Sequence, residues 1–178
     1  MILTRRALMR VGGGFAAALV AGRGAGAAAP ATAEIVMHGN ANGSHVWFDP
    51  IGLLVEPGTT IRWVNRDPGN AHTATAYHPD VMERPRRMPK DAKPWDSDYL
   101  LPDEKFSVRL DVPGVYDFYC IPHEHAGMVG RIVVGEPGAG DWTGSGPGIG
   151  GKLPLPEAAL AAFPAVEEIM RRKMIRRS

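Results

Sequence analysis

Residues 34–135 are divided into short apolar runs that alternate with polar residues and are separated by turn formers. Ile61, Trp63 and Asn65 lie on the face opposite Arg62 and Val64. Phe106, Val108 and Leu110 likewise oppose Ser107 and Arg109. A period of two puts one set of side chains into a core and the other towards solvent, which only a strand does. The runs 35–37, 53–55, 60–64, 72–77, 106–110, 115–120 and 131–134 are therefore predicted strands. Glu56-Pro57-Gly58-Thr59 and Asp111-Val112-Pro113-Gly114 read as turns between them. The 22 glycines and 16 prolines fit that punctuation. About seven short strands at this spacing predict an all-β sandwich or barrel of two packed sheets. The stretch 79–101 is long for a loop in a compact domain and reads as a functional or family-specific insertion.

The two ends read differently. Residues 1–33 carry Arg5 and Arg6, then a Gly-diluted apolar stretch, then Ala31-Thr32-Ala33. This is the order of an export signal peptide, with cleavage expected near Ala33. The paired arginines resemble a twin-arginine signal, although the general secretory route has the same layout. The apolar stretch falls short of the ~20 residues that span a bilayer. Residues 136–155 are rich in Gly and Pro and read as a linker. Residues 156–178 read as a helical basic tail starting at Pro156, with Pro164 splitting it. Its basic end is either a solvated helix terminus or a weak contact for an anionic membrane or an acidic partner.

Charge and cysteine count exclude several functions. Twenty Lys and Arg against 19 Asp and Glu give +1, and removing the four arginines of residues 1–33 leaves −3. Neither figure supports nucleic-acid binding. The single cysteine rules out an internal disulfide, a four-cysteine zinc site and a cysteine-ligated iron–sulfur cluster. In an exported chain a lone thiol must be buried, bound or exposed to oxidation.

Its neighbours point to binding. Tyr119-Cys120-Ile121-Pro122-His123-Glu124-His125-Ala126-Gly127-Met128-Val129-Gly130 follows a predicted strand, so a thiolate, an imidazole and a thioether share one short loop. A buried cysteine is ordinarily a small core residue. With His at the third and Met at the eighth position after it, the set becomes soft and asymmetric and selects copper over magnesium, calcium or manganese. Asn65-Arg66-Asp67-Pro68-Gly69-Asn70-Ala71-His72 supplies a second histidine at the start of a predicted strand. Two His, one Cys and a weak axial Met form the ligand set of blue-copper electron-transfer sites.

Residues 60–77 and 114–134 resemble the cupredoxins, in particular their plastocyanin/pseudoazurin branch. The run from Tyr119 to Gly130 is very similar to that family's ligand loop. The resemblance implies a Greek-key sandwich of two sheets and one type 1 copper ion held by His72, Cys120, His123 and Met128. It also implies one-electron transfer between redox partner proteins, with no enzymatic activity. Two departures stand out. Thr73 occupies the position where much of the family has an Asn that stitches the two ligand loops together. His125 offers a rival to His123, although spacing favours His123. His38, His45 and His78 read as surface or supporting residues.

Other functions remain readable from the same residues. A copper storage or delivery protein would use the extra histidines as entry ligands. A multicopper oxidase needs several His-x-His pairs, and this chain has one. A zinc domain built on Cys120 is a weaker reading.

Overall fold

The computed structural model describes residues 31–40, 42, 44–138 and 141–177, so the expected signal lies outside it except for residues 31–33. Among the described residues nine strands form two sheets. They are β1 Thr32–Gly39, β2 Val46–Asp49, β3 Gly52–Val55, β4 Thr59–Asn65, β5 Thr75–Ala76, β6 Lys105–Leu110, β7 Gly114–Tyr119, β8 Val129–Val134 and β9 Met174–Ile175. One sheet runs β2-β1-β4-β6 and the other β5-β7-β8-β3-β9. The pairs β1–β4 and β3–β8 are parallel, and the other ladders are antiparallel. The two-sheet sandwich predicted from alternation is present.

The core lies between the sheets. Ile35 and Met37 of β1, Ile61 and Trp63 of β4, Phe118 of β7 and Ile132 of β8 are fully buried, with the intervening residues on the opposite face. Burying each aliphatic or Phe side chain contributes roughly 1.5–3 kcal/mol. Phe118 meets both Phe48 and Trp63 edge-on, at centroid distances of 4.8 and 5.3 Å. These contacts lock one sheet to the other just below the end of β7.

Two differences from the predicted strands bear on the site and its core. Val46–Asp49 adds a strand that the sequence reading lacks, paired with β1 through Met37 and Phe48. The run predicted at 72–77 contracts to Thr75–Ala76. His72 leaves the ladder and bridges Leu100 instead, and the Thr73 N–H turns to the Cys120 sulfur.

The predicted linker 136–155 does not behave as a free tether over its described residues. Trp142 is buried, and Asp141 pairs with Arg86 at 3.0 Å. Ile149 and Arg86 exchange backbone hydrogen bonds. The carbonyls of Gly144 and Gly146 accept from Arg131 and Arg87. Both arginines converge on the fully buried Asp117, at 2.9 Å from Arg87 and 2.7 Å from Arg131. Their guanidiniums also lie 4.6 and 5.1 Å from the Phe163 ring. Composition signals backbone freedom here, and buried donors elsewhere in the chain remove it.

The basic tail is helical only in part. Two short helices, α1 Glu157–Ala162 and α2 Val166–Arg172, flank Pro164. The chain then turns at Lys173 and adds β9 to the open edge of β3. An unpaired edge with buried neighbours favours this strand over further helix.

Candidate metal centre

Strand β7 delivers Cys120 into the interior, where it is fully buried. A tight 3-10 turn, Ile121–Ala126, follows with Pro122 in its first turn. Gly127 ends it in a left-handed conformation, φ 74°, which glycine adopts without strain. A side chain there would also press on the Ala158 carbonyl of α1 at 3.1 Å. The Cys120 N–H then donates to the Met128 carbonyl and the Met128 N–H to the His123 carbonyl, so the loop closes on itself.

The second loop, between β4 and β5, is built on Asn65. Its side-chain amide donates to the carbonyls of Asn70 and Leu100, and its oxygen accepts the Asp67 N–H. The paired backbone bonds between His72 and Leu100 then hold the histidine against the insertion.

Three of the residues singled out in the sequence meet here. His72 Nδ1 and His123 Nδ1 are 3.2 Å apart, and Cys120 Sγ lies 3.5 Å from the first and 3.4 Å from the second. All three ligand atoms fall within 4.8 Å of one another. A triangle with these sides has its centre about 1.9 Å from each corner, close to the roughly 2.0–2.1 Å of a first-row metal–imidazole bond. The donor set and its size thus fit a copper ion. Met128 is fully buried in the same core cluster as Cys120. His125 is exposed and outside the triangle. His38 and His45 stack on Trp47, and His78 accepts the Asp80 N–H.

Protonation follows from the surroundings. Burial pushes the Cys120 thiol up to about 11, against the Thr73 amide, which favours the thiolate. Burial holds both His72 and His123 below the ordinary imidazole value, opposed in each case by Asp67. The imidazoles are therefore neutral at pH 7, as metal ligands must be, and the thiol must shed its proton to bind.

Thr73 performs the stitching for which the family pattern uses Asn. Its N–H donates to Cys120 Sγ at 3.3 Å and its hydroxyl oxygen accepts the Ile121 N–H at 2.9 Å. The Thr73 hydroxyl in turn donates to Thr75, whose hydroxyl donates to Asp96 in the insertion. Two further residues escaped the sequence reading. Asp67 faces His72 Nε2 at 3.0 Å. Glu124 is buried within the ligand loop, accepting the Tyr77 hydroxyl at 2.9 Å and pairing with Arg84. An acid five residues before a candidate ligand histidine was the available signal for the first. The position of Glu124 beside His123 gave none.

Residues 34–135 match the copper binding proteins of the plastocyanin/azurin family. The chain belongs to this family. It is 37% identical over 134 residues to a chloroplastic plastocyanin of Oryza sativa subsp. indica, covering 75% of this chain and 82% of the relative. It is 36% identical over 121 residues to that of Pisum sativum, covering 67% and 70%. A solved Sinorhizobium pseudoazurin superposes with a TM-score of 0.53 at 27% identity, covering 78% of this chain and 94% of the other. Copper is accordingly the cofactor of this cupredoxin, and plastocyanin-like cupredoxins are electron carriers rather than enzymes.

Proposed function

We propose that the chain is an exported blue-copper electron carrier in which His72, Cys120, His123 and Met128 hold one copper ion. The observation that carries this reading is the near-equilateral triangle of two Nδ1 atoms and one Sγ, closed by buried groups. When bound, copper supplies a one-electron Cu(I)/Cu(II) couple. The chain's part is to keep the ligands from rearranging. Thr73 ties the two loops, Asn65 holds its own loop to Leu100, and Asp67 fixes His72. Rigid ligands favour a single geometry for both oxidation states, which keeps reorganisation small. Full burial of His72, Cys120 and Met128 keeps water from the metal position.

His123 is the half-buried member of the set, between the exposed Pro122 and Ala126. This edge is the proposed contact for redox partner proteins, a donor and an acceptor. Arg171 and Lys173 are exposed at the tail and offer a weak contact to an anionic membrane or an acidic partner. Export with cleavage near Ala33 would start the mature chain inside β1, leaving its pairs with β4 from Glu34–Arg62 onward. A periplasmic or similar oxidising location suits a lone thiol sheltered by burial.

Voltammetry of the copper-loaded protein tests the carrier reading against storage or delivery. A reversible one-electron wave over repeated cycles, with copper retained, supports the carrier. Loss of copper on reduction favours the copper-delivery role.

A further inference from the structure

The buried Asp67 is not needed to make a blue-copper ligand set, yet it is built into this one. Its side chain is 1% exposed, with Oδ2 3.0 Å from His72 Nε2. Oδ1 accepts the Gly69 N–H at 2.9 Å, and Oδ2 also accepts from the Asn70 amide at 2.7 Å. With the Gly69 N–H on Oδ1 and the Asn70 amide on Oδ2, the side chain serves as a carboxylate acceptor, and a carboxylate facing His72 places the ring proton on Nε2. That leaves the Nδ1 lone pair pointing at His123 and Cys120. Gly39 at the end of β1 backs the same carboxylate, and any side chain there would put its Cβ 1.8 Å from Oδ2. Among the described residues no Lys or Arg pairs with Asp67, and the nearby Arg66 pairs with Asp103 instead.

We propose that Asp67 is a positioning residue of the copper centre: it fixes His72 as the Nε2–H tautomer, and its charge holds the centre towards the oxidised state. The inference rests on His72 being a copper ligand. A carboxylate behind a ligand imidazole sets the ring's tautomer and orientation and makes it a stronger donor. A negative charge away from water is weakly screened and stabilises the more positive of two metal states. Asn70 moderates this effect by sharing Oδ2.

The test uses the full protein loaded with copper, in wild-type, D67N and N70A forms, equilibrated with an outer-sphere one-electron couple and read at the thiolate-to-copper band. D67N keeps the shape and removes the charge. It is expected to shift the equilibrium at least tenfold towards Cu(I), which is ~59 mV for one electron. N70A frees Oδ2 from a competing donor and is expected to shift it at least twofold the other way. In the metal-free wild type, nitrogen NMR is expected to find His72 as the Nε2–H tautomer alone. A D67N protein with an intact band and a potential within twofold of wild type overturns the proposal. If D67N does not fold, N70A decides, and no shift or a shift towards Cu(I) overturns it. An Nδ1–H tautomer in the metal-free protein does the same. Absence of the band in wild type instead removes the ligand reading on which the proposal rests.

Discussion

The backbone N–H of Thr73 donates to Cys120 Sγ across 3.3 Å, and the Thr73 hydroxyl accepts from Ile121, the next residue in the ligand loop. One threonine thus grips the Cys120–Met128 loop at two consecutive positions. The first bond bears on the sulfur's electron density and the second on its place.

Replacing Thr73 by Val removes the hydroxyl and keeps the volume and the N–H. The Ile121 N–H then loses its partner, and the Thr75–Asp96 link loses its donor from Thr73. Chemical denaturation is expected to register a loss of about 1–3 kcal/mol. Thr73→Ser should recover most of it, and a Val variant as stable as wild type would mean that the hydroxyl does not hold the loops.

Copper loading should release protons. With the Cys120 thiol raised to about 11 by burial and both imidazoles neutral, one proton leaves per copper bound near pH 7. Apparent affinity should rise about tenfold per pH unit between pH 7 and 9. In the metal-free protein the sign reverses for stability. The unfolded thiol ionises from its ordinary 9.0 and the folded one only near 11, so stability falls as pH climbs through that interval. Calorimetric titration in two buffers of different ionisation enthalpy counts the protons, and Cys120→Ser should abolish both effects.

Asp117 anchors the C-terminal segment through Arg87 and Arg131. Asp117→Asn leaves two buried guanidiniums against a neutral amide, and breaking such a pair costs about 3–5 kcal/mol. Residues 136–152 should then become the first site of limited proteolysis, since their carbonyls depend on the same arginines. Unchanged melting and cleavage would show that the segment is held by its apolar contacts.

Legibility from the sequence followed locality. Strands β4 and β6 declare themselves because alternation is written within a few residues. Cys120, His123 and Met128 were readable because one loop carries all three. Val46–Asp49 is four residues long and is a strand only because β1 lies beside it. The 72–77 run shortened because the Thr73 N–H goes to a sulfur 47 residues away. Residues 136–155 looked like a tether because glycine reports conformational freedom, while the arginines that fix it lie as far as 59 residues upstream. Asp67 was visible as part of an Asp-Pro-Gly turn, and that local explanation concealed its second oxygen. Nor could spacing alone settle His123 against His125, since both lie in the same turn. Folding puts Nδ1 of one against Cys120 Sγ and leaves the other in solvent.

The most direct measurement is visible absorption and electron paramagnetic resonance of the purified protein after adding Cu(II), with Cys120→Ser, His123→Ala and His125→Ala alongside. The account predicts an intense thiolate-to-copper band in wild type and in His125→Ala. It predicts loss of the band in Cys120→Ser and a changed spectrum in His123→Ala. A wild type without the band, or a Cys120→Ser variant that retains it, would contradict the copper centre described here.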